Sequence, residues 1–171
     1  MVVLIIEGSD LVGKSTAIER ISKYYKNGFL IKNLYKPSTS HDEKIYHQYY
    51  KILNMIEGLS FVILDRFFPS QAVYSVKRGE DEMNSEEIKF LDEECVEKKF
   101  IYVYLDTSLA ELERRYNNRG DEHIAFEDLT WITERYDIFW KKTKMRKIKL
   151  DTMKEGWLEE LSIFITENKY G

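Results

Sequence analysis

The apolar positions of this chain alternate between two rhythms. "VVLIIE" (Val2 to Glu7) is an unbroken β-branched run, the pattern of a strand covered on both faces. Ile18, Ile21 and Tyr25 then recur at helical spacing and predict a helix from about Ser15 to Tyr25. "FLIKNLY" (Phe29 to Tyr35) reads as a second strand. Ile45, Tyr49, Ile52, Leu53 and Ile56 mark a helix, which Gly58 is suited to end. "SFVILD" (Ser60 to Asp65) and "FIYVYLD" (Phe100 to Asp106) are two more continuous strands, each ending in Asp. Between them Ser85 opens a helix that carries Ile88, Leu91 and Cys95. Thr107 and Ser108 can cap the helix "LAELERRYNNR", and Gly120 closes it. A further helix follows from about Glu127 to Lys142, then a short strand "KIKLD" (Lys147 to Asp151) and a last helix "GWLEELSIFITEN". Strands thus alternate with helices, which predicts an α/β fold: a five-stranded parallel sheet with helices on both faces. Ligands in such sheets bind outside the carboxyl ends of the strands, and the polar motifs of this chain follow those ends.

The chain has 171 residues, the size of one domain with a real core. With two Pro and eight Gly, no linker or repeat stands out, so residues 1–171 are read as a single domain. A net charge of −4 argues against a dedicated nucleic-acid binder, while a local cluster of Lys and Arg can still hold a small anion. Cys95 is the one cysteine, so no intrachain disulfide forms and a reducing compartment fits. Its spacing with Ile88 and Leu91 makes it a small core residue. The first apolar run is too short for a signal peptide or membrane span, and the expectation is a cytoplasmic protein without a membrane partner. His41, His47 and His123 are scattered, without metal-ligand spacing.

Gly8 to Ser15 reads G-x-x-x-x-G-K-S, between the first strand and the first helix. Glycines let the backbone curl so that successive N–H groups point inward, and the helix adds its positive N-terminal end. Gly8, Ser9, Asp10, Leu11, Val12, Gly13, Lys14, Ser15 and Thr16 are therefore the candidate ATP-binding residues. Lys14 supplies a point charge for the β- and γ-phosphates, and the Ser15 hydroxyl can ligate Mg²⁺. Asp65, at the tip of a strand, can hold Mg²⁺ through water, or simply cap the next turn. Arg66 is a fork donor suited to a phosphate, with a surface ion pair as the alternative. Arg115 and Arg119 share a helical face with Arg114 close by. They can close on a transferring phosphoryl group, or form a solvated face paired to Glu111 and Glu113.

Together these motifs resemble the thymidylate kinase family of P-loop nucleoside monophosphate kinases. The family's E-G-x-D-x-x-G-K-S-T is matched by Glu7, Gly8, Asp10, Gly13, Lys14, Ser15 and Thr16. Its D-R-Y-x-x-S-x-x-A-Y-Q is similar to "DRFFPSQAVYS", through Asp65, Arg66, Ser70 and Tyr74, with Phe67 for Tyr, Val73 for Ala and Ser75 for Gln. "YLDTSLAELERRYNNRG" is similar to the family's strand, helix and Arg-rich lid, here at about residues 114–126. Phe126 to Tyr136 is similar to its following F…R-Y helix. The resemblance implies that Lys14 and Ser15 hold donor phosphates and Mg²⁺, and that Asp10 reaches the acceptor's sugar or its metal. Arg66 would bridge the acceptor phosphate and the transferred group, Ser70 and Tyr74 would line the acceptor's sugar and base, and Arg115 and Arg119 would belong to the lid over ATP. With Leu11 and Val12 in the phosphate loop, the lid has to supply the charge. Departures fall on the acceptor side. The family's R-E-P-G appears only as "YKPST", so Lys36 would meet the acceptor phosphate as a point charge. The residues that grip thymine have no clear counterpart, and Tyr46, His47, Tyr49 and Tyr50 are candidates to stack on a base, with Tyr49 fitting the core better. Trp131, Phe139 and Trp140 suggest an apolar helix face. In the resembled family such a face makes a dimer, so a homodimer is an expectation.

The expected activity is ATP- and Mg²⁺-dependent phosphorylation of a deoxynucleoside monophosphate, dTMP or a related pyrimidine nucleotide. A deoxynucleoside kinase is the alternative; its hydroxyl acceptor wants a carboxylate base, for which Glu7 or Asp10 could serve. A GTP-type switch lacks its Asn/Thr-Lys-x-Asp loop after the fourth strand.

Overall fold

In the computed structural model, β1 (Val2–Glu7) runs through the middle of the sheet between β3 (Phe61–Asp65) and β4 (Ile101–Asp106). β2 (Phe29–Lys32) and β5 (Arg146–Asp151) form the edges, giving the order β2-β3-β1-β4-β5 with every pairing parallel. The structure describes residues 1–32, 45–78, 83–119 and 125–168, with the side chains of 75–78 and of Arg119 outside that description. The helices are α1 (Lys14–Tyr24), α2 (Ile45–Met55), α3 (Phe68–Arg78), α4 (Ser85–Glu97), α5 (Leu109–Arg119), α6 (Phe126–Lys142) and α7 (Trp157–Asn168).

Strand alternation divides the core in two. Val3 and Ile5 of β1 face a cluster that takes Tyr49 and Leu53 from α2, Phe68 and Val73 from α3, Leu91 and Cys95 from α4, and Ile132, Tyr136 and Phe139 from α6. Val2, Leu4 and Ile6 face the other cluster, with Ala17, Ile18 and Ile21 of α1 and Trp157, Leu161 and Ile165 of α7. Each buried Leu or Ile contributes about 1.5–3 kcal/mol, so the loop after β1 leaves a fully buried strand. Register brings the carboxyl ends together: Ile6 pairs with Asp65, and Glu7 pairs with Tyr104.

The strand and helix order follows the sequence reading, with one addition. Helix α3 falls on "FPSQAVYSVKR", where Pro69 and Ser70 look like turn residues. Pro69 lies in the first helical turn, where its missing N–H breaks no bond and its fixed φ suits the helix. Asn84 caps α4, accepting from the backbone N–H groups of Glu86 and Glu87, while Glu87 returns a bond to the Asn84 N–H.

The aromatic face of α6 turns inward. Phe139 is buried, and Trp131 and Trp140 are partly buried against the same core cluster. Tyr49 is core, in edge contact with Phe67 at 4.9 Å. Tyr46 and Tyr50 lie against Phe90 of α4, with ring centroids 5.8 and 6.1 Å apart. Cys95 is buried, and burial raises its thiol well above the ordinary range. Among the described residues no helix is long and apolar enough to cross a membrane.

Candidate active site

The site is assembled from the loop after β1 and the two residues that close β3. Gly8 sits where nothing larger fits: a Cβ there would stand 2.6 Å from the Leu105 carbonyl oxygen. Gly13 takes a φ of 93° directly before α1, a left-handed conformation that glycine adopts without strain. Between them Ser9 and Val12 are buried and Leu11 is itself left-handed, with a φ of 64°. Lys14, Ser15 and Thr16 form the first turn of α1, with Ser15 and Thr16 exposed at the surface.

Lys14 and Asp65 meet as an ion pair whose side chains are 11% and 12% exposed. The strand register explains the meeting: β1 and β3 are neighbours and end level, so the first helix and the tip of β3 share one edge. Ser15 and Asp65 offer a hydroxyl and a carboxylate, an all-oxygen donor set that suits Mg²⁺, a cation that usually keeps several waters.

Arg66 follows in the left-handed region, with a φ of 67°. A non-glycine residue there carries backbone strain, and such strain concentrates at functional sites. The twist turns the guanidinium back over the phosphate loop. Nη2 donates to Asp10 Oδ1 at 2.8 Å, and Nη1 donates to the Tyr136 hydroxyl at 3.0 Å and the Gly8 carbonyl at 3.3 Å. Tyr74 donates to the other Asp10 oxygen at 2.8 Å, and its ring lies 5.0 Å from the guanidinium carbon. Burial works against the charge, but the oxygens of Tyr136, Tyr74, Asp10 and Glu7 outweigh it and hold Arg66 protonated well above its ordinary range.

Glu7 lies beneath this layer, fully buried. Its Oε1 accepts from the Phe67 N–H at 2.7 Å, and its Oε2 accepts from the Ser70 hydroxyl at 2.5 Å and the Tyr136 hydroxyl at 3.0 Å. One carboxylate thus ties the end of β1 to the start of α3 and to the middle of α6. Burial raises its pKa; the Arg66 charge and the bonds from Ser70, Phe67 and Tyr136 pull the other way. Tyr136 was legible only as the Tyr of an R-Y pair, and its part in holding Arg66 and Glu7 comes from how α6 crosses the sheet.

Arg115 approaches from α5. Its Nη1 donates to the Leu11 carbonyl at 2.7 Å, and its Nε donates to Glu111 at 2.7 Å. Arg114 pairs with the same Glu111 and is 60% exposed. A pocket of about 350 Å³ opens beside Arg115, bounded by Gly13, Thr16 and Arg20 near α1 and by Thr152, Met153 and Trp157 beyond β5. The structure therefore gathers Asp10, Lys14, Asp65, Arg66, Ser70, Tyr74 and Arg115 at one sheet edge. Lys36 and the Arg119 side chain lie outside the described residues, as does residues 120–124 of the expected lid.

The fold and this edge define a class: a P-loop kinase fold, with a phosphate loop after the central parallel strand and a carboxylate on the neighbouring strand. No protein-family model matches the chain. The chain belongs to the family of the SPβ prophage-derived protein YorR of Bacillus subtilis, with which it is 30% identical over 138 residues, 80% of each protein. The crystal structure of YorR, in complex with phosphorylated GDP, superposes with a TM-score of 0.80 at 25% identity, covering 98% of this chain and 97% of that one. Two kinases share the fold at greater distance. Deoxyadenosine kinase of M. mycoides gives a TM-score of 0.62 at 15% identity, over 98% of this chain and 100% of its own. Thymidylate kinase of Candida albicans gives 0.63 at 18% identity, over 98% and 92%.

Proposed function

We propose that this chain is a nucleoside monophosphate kinase, transferring the γ-phosphoryl group of ATP to the phosphate of a deoxynucleoside monophosphate, with dTMP or a related pyrimidine nucleotide as acceptor. The observation that carries the reading is the pair of cations at one sheet edge: Lys14 on Asp65 and Arg66 on Asp10, consecutive residues of β3 and its exit. Two positive charges side by side at the carboxyl end of the sheet, one at the start of α1 and one at the exit of β3, suit a reaction that brings two phosphate groups together. The nucleotide in the YorR crystal structure supports a nucleotide ligand and adds guanine nucleotides to the acceptors to be tested.

In this reading an oxygen of the acceptor phosphate attacks the γ-phosphorus in line. A bond forms between them, and the bond from the γ-phosphorus to the β–γ bridging oxygen breaks, leaving ADP. The attacking oxygen is already anionic, so no base has to take a proton. Lys14 exchanges Asp65 for the β- and γ-phosphate oxygens. Arg66 bridges the acceptor phosphate and the transferred group, Lys36 meets the acceptor phosphate, and Arg115 and Arg119 close over ATP. Ser15 and Asp65 would hold Mg²⁺, which supplies charge neutralisation on the donor phosphates when bound. A hydroxyl acceptor would need a free carboxylate; here Glu7 is buried under its hydrogen bonds and Asp10 is shared by Arg66 and Tyr74, which favours the monophosphate.

The test is ADP production from Mg-ATP across nucleosides and their monophosphates, for the wild type and Arg66→Ala. The proposal requires turnover with monophosphates that the substitution removes. Turnover with nucleosides alone would show a nucleoside kinase instead, and ADP release at the same rate with no acceptor would show a hydrolase.

A further inference from the structure

Glu7 of β1 stands level with Tyr104 of β4, and Tyr104 with Lys149 of β5. Residues level on adjacent parallel strands point to one face of the sheet, and this face carries α6. Consecutive residues of the helix meet the row. Tyr136 donates to Glu7 Oε2 at 3.0 Å and stacks on Tyr104, with ring centroids 5.6 Å apart and planes inclined by 26°. Asp137 accepts from Lys149 Nζ at 3.1 Å. The same ammonium pairs with Asp106, at the end of β4, at 2.8 Å and lies 4.9 Å from the centre of the Tyr104 ring. Burial works against its charge, but the bonds to the Asp106 and Asp137 carboxylates outweigh it and hold Lys149 protonated above its ordinary range.

Attachment of the helix rests on other contacts. Leu129, Ile132 and Phe139 bury its apolar side. Lys147, two residues before Lys149 on the same face of β5, donates to the carbonyls of Trp140 and Thr143 at 2.6 and 2.9 Å and ties down the carboxyl end of α6. Apolar contact is non-directional, and end carbonyls lie close to the helix axis, so these contacts least resist a small rotation about that axis. Such a rotation swings the Tyr136 hydroxyl, which accepts from Arg66 Nη1 at 3.0 Å. Lys149 holds both the residue next to Tyr136 and the ring beneath it.

We propose that Lys149 is a positioning residue for phosphoryl transfer: by gripping Asp137 and the Tyr104 ring, it fixes the rotation of α6 that sets the Tyr136 hydroxyl against Arg66. The inference rests on the kinase reading above, in which Arg66 bridges the acceptor phosphate and the transferred group. A guanidinium that serves two phosphates at once works in a narrow range of orientations. Lys149 reaches neither phosphate in this reading. Its loss therefore slows the chemical step and leaves donor binding through Lys14 unchanged.

The experiment measures kcat, KM for ATP and Tm for the wild type, Lys149→Met, Asp137→Asn, Tyr136→Phe and the double variant Tyr136→Phe/Lys149→Met, with the monophosphate that the wild type accepts. Lys149→Met should lower kcat by roughly 10- to 100-fold and leave KM for ATP unchanged. Asp137→Asn breaks the same grip from the helix side. It should give a similar loss, and it decides the matter if Lys149→Met does not fold. In the Tyr136→Phe background the Lys149 substitution should cost kcat little more, because the hydroxyl that it positions is already gone. Single variants with wild-type kcat would overturn the role of Lys149 and leave the kinase reading standing. So would a double variant whose loss is the product of the single losses, the result of a merely structural role. A wild type that phosphorylates no monophosphate overturns both.

Discussion

Arg115 donates from Nη1 to the carbonyl of Leu11 at 2.7 Å, fastening the helix after β4 to the phosphate loop after β1. Leu11 occupies the left-handed region, which turns its carbonyl out of the loop toward α5. Glu111, one turn before Arg115, accepts from both Arg115 and Arg114 at 2.7 Å. The arginines are thereby held at the mouth of the pocket beside the loop.

This arrangement sets a pH dependence. Hydrogen bonds from Arg114 and Arg115 hold the Glu111 carboxyl down at about 2, against an ordinary 4.5. Because the folded value is the lower one, the stabilisation is fully present above pH 4.5 and is lost as pH falls from there toward 2. Urea unfolding of the wild type and Glu111→Gln should show a stability difference that is constant near neutrality and shrinks below about pH 4.5. A difference that stays constant down to about pH 3 would contradict the assignment.

Arg66 separates chemistry from backbone strain. Arg66→Ala and Arg66→Gly both remove the guanidinium, and each should lower kcat/KM by about 10³-fold or more. They should differ in stability, because Ala keeps a Cβ in a left-handed conformation and Gly does not. The Gly variant is expected to be the more stable by about 1 kcal/mol in denaturant unfolding. Equal stability would mean that the φ of Arg66 stores no strain.

Glu7→Gln exchanges a pure acceptor for a group with two donors, in a place where the Phe67 N–H and the Ser70 and Tyr136 hydroxyls all donate. The two hydroxyls must then turn to accept from the amide and lose their charged acceptor, at a cost of about 1–3 kcal/mol. In a chain of this size each kcal/mol lowers Tm by about 2–4 °C. Tyr136→Phe removes one donor and should cost less than Glu7→Gln. A Glu7→Gln protein with wild-type Tm would show that the network does not hold α3 and α6 to the strand.

Mg-ATP should raise the Tm of the wild type, by about 2.7 kcal/mol of stabilisation at one hundred times its Kd. Lys14→Met removes the charge that exchanges Asp65 for phosphate, so the same nucleotide concentration should leave the Tm of that variant unmoved. A full shift in Lys14→Met would place the nucleotide somewhere other than the loop at residues 8–15.

The sequence by itself determined the strands, the parallel sheet and the phosphate loop, because these follow from local pattern. Five apolar runs between amphipathic segments admit few other arrangements, and G-x-x-x-x-G-K-S needs only its own backbone to curl. The same holds for Cys95 and Tyr49, whose helical spacing already placed them in the core. What only the tertiary structure decided are relationships across distance in the chain. Helix α3 went unpredicted between Asp65 and Ser85, and the Glu7 carboxylate that accepts from the N–H groups of Phe67 and Ser70 at its start comes from another strand. The aromatic rings of α6 find their packing partners only once the sheet is placed beneath them. Tyr136 read only as the end of an R-Y pair, and it gains its meaning from a bond to Arg66. Periodicity reports how a segment meets its average surroundings, whereas the partner of a single polar atom is fixed only when distant segments are packed together.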